Sequence, residues 1–277
     1  MQRFRGAIAR IVLVSGLALV TASPLFAVLR IAPAVVETRF ENGRIAGSFT
    51  ITSTDAKSAR IRVFPVHFGL SMDGQVTVVP VDSSSLAPWM KITPREFTLE
   101  PNSERQVRYA VMAPDSVPDG TYWGGLEFLP LPSHQDSIDA QTSVKAIAIV
   151  VVPIMADKGK PRYAWHLDPD SMRSVVTPNG VALLTKIENR GTGRIPQKGR
   201  YEIRDASGAV VQSGETERLS VFPNSNRFLT TTAPRTLTPG KYEYQVTYTS
   251  EVDGSKLTGA LRFDVPEKYP DPPQRKH

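Results

Sequence analysis

Apolar and polar residues alternate with a period of two along this chain, in short runs separated by turn signals. "GSFTIT" (47–52) places Phe49 and Ile51 on one face and Ser48, Thr50 and Thr52 on the other. "ARIRVF" (59–64) sets Arg60 and Arg62 against Ile61 and Val63. Such alternation is the signature of a half-buried strand. "DGQVTVVPV" (73–81) opens on an Asp-Gly hairpin signal. In "WMKITPREFTLEPNSERQVRYAVMAP" (89–114), Phe97 and Leu99 precede a Pro-Asn turn, after which Val107, Tyr109 and Val111 alternate with polar or small partners. Strands spaced roughly 8–12 residues apart, with no helical period after the first 27 residues, predict a β-sandwich.

"TSVKAIAIVVVPIM" (142–155) is different, being apolar on both faces after Lys145. Such a strand is either buried on both sides or has one side awaiting a partner. It is expected to end at Pro153, which has no N–H for a ladder. The polar, Gly- and Pro-broken "ADKGKPR" (156–162) reads as a linker. A second strand series follows, through "GVALLTKIENRGTG" (180–193), a hairpin across Ser207-Gly208, "SNRFLTTTAP" (225–234), "GKYEYQVTYTSEVDG" (240–254) and "SKLTGALRFDV" (255–265). The glycines of "NRGTGR" are expected to supply positive φ in a turn. The organisation predicted is a first domain over residues 28–156, a linker over 157–163, a second domain over 164–266 and a disordered tail over 267–277, rich in Pro and charge.

The two series share a motif. "PDGTYWGGLEF" (118–128) matches "TPGKYEYQVTY" (238–248): proline, glycine, one residue, tyrosine, then an alternating strand. Tyr122 and Tyr242 each stand just after a tight turn at the start of a late strand, the placement of the tyrosine corner in immunoglobulin-like sandwiches. The fold expected is all-β, with two immunoglobulin-like sandwiches in tandem.

The first 27 residues predict a secretory signal peptide. Arg3, Arg5 and Arg10 form a positive segment, Ile11 to Val20 an apolar core, and cleavage falls after Ala22 or Ala27. The apolar run is short for a membrane span, so the mature chain is expected to be exported, to the periplasm or the cell surface, without a stable membrane span. Removing the leader takes three arginines and no acid, lowering the formal charge from +6 to +3. The remaining basic residues are scattered, which argues against nucleic acid as a partner. There is no cysteine, so disulfides, thiolate metal sites and a cysteine nucleophile are excluded, and each domain must bury a sufficient core of its own.

Catalytic chemistry finds no support. His67, His134, His166 and His277 include no pair at zinc-ligand spacing. No G-x-S-x-G elbow or phosphate loop occurs. His166 beside Asp168, like Asp168 beside Asp170, reads as loop polarity. No enzyme activity, metal or cofactor is expected.

Over most of the first domain the sequence resembles the PapD-like periplasmic pilus-assembly chaperones. The segments that carry the resemblance are "LRIAPAVVETRFENG", "GSFTITSTDAKSARIRVFPV", "ITPREFTLEPNSERQVRYAV" and "MAPDSVPDGTYWGGLEFLPLP". The "DGTYWGGLEF" part also resembles a strand of Gram-positive surface proteins with similar sandwich domains. The chaperone resemblance implies donation of a strand to an incomplete pilin subunit, through edge-strand addition. The lending strand would be residues 144–152, with Lys145, Ile147, Ile149 and Val151 presented to the subunit and Ala146, Ala148, Val150 and Val152 toward the core. The family anchors the subunit's terminal carboxylate with a first-strand Arg and a donor-strand Lys. Arg39 and Lys145 are the candidates here, although Lys145 lies several residues from the expected position and Arg39 is out of clean register. The alternative is a structural or adhesive envelope protein that donates no strand.

Overall fold

A computed structural model describes residues 29–53, 57–131 and 149–272. The expected leader, Lys145 and Ile147 lie outside them. The first strand series comprises β1 (Leu29–Ala32), β2 (Val36–Arg39), β3 (Arg44–Ser53), β4 (Ala59–Leu70), β5 (Val76–Val79), β6 (Met90–Thr93), β7 (Glu96–Leu99), β8 (Glu104–Met112), β9 (Gly120–Leu131) and β10 (Val150–Lys158). One sheet has the order β1-β3-β8-β6; the facing sheet runs β2-β10-β9-β4-β5, with β7 also on β4. The second series comprises β11 (Trp165–Leu167), β12 (Arg173–Thr177), β13 (Gly180–Asn189), β14 (Ile195–Asp205), β15 (Val210–Glu215), β16 (Leu219–Val221), β17 (Ser225–Pro234), β18 (Gly240–Ser250) and β19 (Lys256–Val265). Its sheets are β11-β13-β12 with β17 on β13, and β15-β14-β18-β19 with β16 on β14. The molecule is all-β, two sandwiches in tandem.

The alternation read from the sequence becomes the inner faces. Phe49 and Ile51 from β3, Ile61 and Val63 from β4 and Val107 and Val111 from β8 meet Leu126 and Phe128 from β9 in the first core. Val181, Leu183 and Ile187 from β13 meet Tyr244, Val246 and Tyr248 from β18 in the second. Each such aliphatic or aromatic side chain contributes about 1.5–3 kcal/mol on leaving water, which is how a chain without disulfides holds two small sandwiches. Tyr269 packs against the second core beyond the last strand, with the Arg235 guanidinium 4.9 Å from its ring centre.

The two repeated turns have the same hydrogen bond. Tyr122 Oη donates to Pro118 O at 2.7 Å, and Tyr242 Oη donates to Thr238 O at 2.8 Å. Each spans four residues and ties the entry of a central strand to the loop before it. Tyr122→Phe and Tyr242→Phe are each expected to lower unfolding free energy by about 1 kcal/mol, the net value of one such bond. Urea titration of the two variants would check this, and the two losses should add, because the sites belong to separate cores.

Candidate functional site

The site is built around β10. It pairs antiparallel with β9 over its whole length, Val150 opposite Phe128 and Lys158 opposite Gly120. On its other edge it pairs parallel with β2, but only from Ile154 opposite Val36 to Asp157 opposite Arg39. Phe40 N donates to Asp157 O at 2.9 Å, so the Asp157 carbonyl points toward β2. Backbone groups alternate between edges along a strand, so Met155, Pro153 and Val151 point theirs the same way. β2 has begun by Ile154; above it, no described strand meets the backbone groups of Val151, and Ile149 lies just before β10 begins.

Pro153 was expected to end this strand, and it does not. Its missing N–H falls on the β2 edge, just where β2 begins, so the β9 ladder loses no bond and β10 continues to Lys158. Proline is tolerated at just such edge positions.

Side chains divide just as the backbone does. Val152, Ile154 and Ala156 lie in the first core. Met155, on the opposite face, packs with Phe68 and Phe222. Val151 lies across Gly125, where a Cβ would come within 2.9 Å of Val151 Cγ1. Ile149 is 54% exposed, and Val35, just ahead of β2, is 46% exposed. The upper half of β10 thus joins an edge that no described strand pairs to an apolar surface facing solvent at Ile149.

The lower half is fixed against the second sandwich. The Phe222 ring sits 4.8 Å from Trp123 and 6.1 Å from Phe68, both edge-on, and Trp123 Nε1 donates to Phe68 O at 2.8 Å. The "NRGTGR" loop forms the elbow between the sandwiches. Thr121 N donates to Thr192 O, and Arg194 N to Thr121 Oγ1, each at 2.8 Å. Asn189 is fully buried; its amide nitrogen bonds the carbonyls of Gly193 and Val221 while its oxygen accepts Gly191 N. Gly191 and Gly193 do not have the positive φ expected of them. They are glycines because the connecting segment passes too close: a Cβ at Gly191 would stand 2.2 Å from Arg162 O, and one at Gly193 2.3 Å from the Tyr163 ring.

A charge network closes the seam. Glu37, on β2, accepts Arg194 Nη1 at 2.9 Å and Arg218 Nη2 at 3.1 Å, and Arg218 Nε also donates to Glu251 at 2.8 Å. Arg194 Nη1 donates in addition to Ser220 Oγ. Burial acts to raise the Glu37 pKa, but the Arg218 hydrogen bond and the charges of Arg194 and Arg218 outweigh it, holding the carboxyl below its usual range. Sequence reading missed this network, and no local signal could have revealed it, since Glu37 and Arg194 are separated by 157 positions.

Of the residues singled out from sequence, Val151 is half-buried on the upper half of β10 and Ile149 is exposed just before it. Arg39 stands opposite Asp157 at the other end of that strand and donates to Gly159 O at 3.3 Å. Tyr122 and Tyr242 lie away from the open edge, in the turns described above. His67 is buried on β4, with Nδ1 3.3 Å from Trp123 O and Nε2 3.2 Å from the Asp82 carboxylate. His166 is exposed on β11, and Asp168 caps the following turn through Asp170 N. Among the described residues no cluster of three or more His, Asp or Glu side chains could hold a metal ion, and no helix is long and apolar enough to cross a membrane.

No protein-family model matches the sequence, and no curated protein matches it. Solved structures similar to the chain are fimbrial chaperones. The class 5 fimbriae chaperone CfaA is 12% identical, with 85% of this chain and 98% of that chain covered at a TM-score of 0.47. The CsuC-CsuE chaperone-tip adhesion subunit pre-assembly complex of Acinetobacter baumannii gives 11%, 84%, 98% and 0.43 for the same quantities. The E. coli chaperone DraB gives 14%, 86%, 98% and 0.41.

The network makes the seam acid-sensitive. A carboxylate whose folded pKa is depressed stabilises the fold above its unfolded pKa, and that stability is lost as pH falls through the folded value. Glu37→Gln is expected to cost about 2 kcal/mol at neutral pH, between the values for exposed and buried pairs. The difference from the parent should shrink as pH falls below the ordinary glutamate value of 4.5. Urea midpoints of both proteins from neutral pH to pH ~3 would show it, the two curves converging at the acid end.

Proposed function

We propose that this chain is an exported, non-enzymatic chaperone-like protein that holds an envelope or pilus subunit by adding the upper half of β10 to the subunit's sheet. What supports this reading is that no described strand meets the outer edge of Val151, with the exposed Ile149 just before it, on a strand whose opposite edge and inner face are already occupied. An added strand gains affinity from main-chain hydrogen bonds, while every second side chain of the host edge fills a pocket. Ile149 and Val151 are those side chains; Lys145 and Ile147, outside the described residues, extend the series upstream. Arg39, whose guanidinium makes a single bond to a carbonyl, and Lys145 serve a subunit carboxylate. The apolar strand is exposed only in the free protein, and the clamped seam below it keeps the edge in one orientation. The leader read from the sequence supports export, to the periplasm or, alternatively, the cell surface.

Because Ile149 is 54% exposed, Ile149→Asp should change unfolding free energy by no more than about 0.5 kcal/mol, as for an ordinary surface substitution. It should nevertheless abolish partner binding. Affinity purification of the tagged protein from its native envelope fraction, followed by intact-complex mass spectrometry, is expected to recover a stoichiometric partner of one sandwich domain with the parent and none with the folded variant. Recovery of monomer or homo-oligomer alone would replace this reading with a structural envelope role.

A further inference from the structure

A second open edge lies at the far side of the same sheet. Val76 and Val78 on β5 stand opposite Leu70 and Phe68 on β4 and are 50% and 53% exposed. Ser71 N donates to Gln75 O at 3.0 Å, which makes Ser71 and Gln75 a hydrogen-bonded pair. Pairs alternate along an antiparallel ladder, so Thr77 and Val79 bond to β4 while Val76 and Val78 turn their N–H and C=O outward. No described strand receives them, and Pro80 closes the run on its C-terminal side.

Proteins discourage pairing at such edges with charge, and this molecule does so elsewhere. Arg30 stands on β1, Lys91 on β6, Arg173 on β12 and Glu215 on β15. β5, Val-Thr-Val-Val, carries no charge. The three-residue strands β11 and β16 carry no Asp, Glu, Lys or Arg either; both are shorter than β5, and the Ser220 carbonyl of β16 already accepts Arg227.

We propose that β5 is a self-pairing edge, through which two copies of this chain join antiparallel about a twofold axis at Thr77. In that register Val76 of one copy faces Val78 of the other, and the outward N–H and C=O groups of both residues exchange four hydrogen bonds across the axis. The valines pair on one face, and a neutral strand meets no like charge in its copy. A copy of the same edge supplies a matching neutral strand with matching outward N–H and C=O groups.

Sedimentation of the purified chain across micromolar to millimolar concentrations tests the pairing. The parent is expected to dimerise with rising concentration. Val76→Lys with Val78→Lys sets lysine against lysine and should weaken association about tenfold, the loss of two cross-strand valine pairs plus like-charge opposition. Val76→Glu with Val78→Lys sets glutamate against lysine and should restore association in a salt-sensitive form. Val78→Thr, milder in its effect on folding, should weaken it by less, and Ile149→Asp should leave it unchanged. A monomeric parent, association of the double-lysine variant equal to that of the parent, a Glu/Lys variant no better than double lysine, or loss of association with Ile149→Asp would each overturn the proposal.

Discussion

A β-strand has two faces and two edges, and the upper half of β10 has companions for only some of them. Its inner face, with Val152, is in the core, and its β9 edge is fully laddered. Its β2 edge is served only from Ile154 onward, and its outer face is covered by the second sandwich only near Met155. Backbone polar groups must find partners in the protein or in water, so the edge at Ile149 and Val151 stays open only while solvent can reach it. Ile149 there exposes an apolar side chain, which water disfavours. One strand end therefore combines backbone groups left to solvent with an apolar side chain left in water.

That arrangement depends on the seam beneath it. Met155, Trp123, Phe68 and Phe222 form a small core that neither sandwich supplies alone. The Thr121–Thr192 and Thr121–Arg194 bonds thread β9 into the elbow loop, and Glu37 gathers Arg194 and Arg218 onto β2. β2, β9 and β10 are thus each held by a different kind of contact: charge, backbone hydrogen bonding and apolar packing. An inter-domain contact would ordinarily permit relative motion. Here three neighbouring strands of one sheet are fixed to the second sandwich together, and a hinge at the connecting segment would have to break all three sets of contacts at once.

Much of the fold was legible because strand alternation is local. Phe49 with Ile51, and Val107 with Val111, point inward as their spacing dictates, and the Pro-Gly-x-Tyr repeat fell at corresponding turns of the two sandwiches. What resisted reading was set by partners far away in sequence. Pro153 reads as a strand end until the ladder shows which edge its missing N–H faces. Gly191 and Gly193 read as turn formers, yet they are small to admit Arg162 and Tyr163 from the connecting segment. The candidate site was legible in the same measure: the two-sided apolar run marked β10, while the pairing of Glu37 with Arg194 and Arg218 had no signature in either stretch alone.

The glycines of "YWGGLEF", the stretch that also holds Tyr122, show how closely fold and site are joined. Gly125 leaves room for the Val151 side chain to cross β9 on the outer face; Gly124 does the same inside, where a Cβ would meet Val66 O at 3.0 Å and Met90 Cε at 3.3 Å. Trp123, one residue earlier, faces outward and anchors the seam. Within three consecutive residues the strand passes from a surface covered by the second sandwich to one left bare, and Val151 is the first residue of β10 above that boundary to meet no strand on its outer edge. A larger residue at 125 would push Val151 away from β9 and tilt the open edge. The lack of a side chain at Gly125 therefore both lets the sheet close and sets the direction in which the upper half of β10 faces.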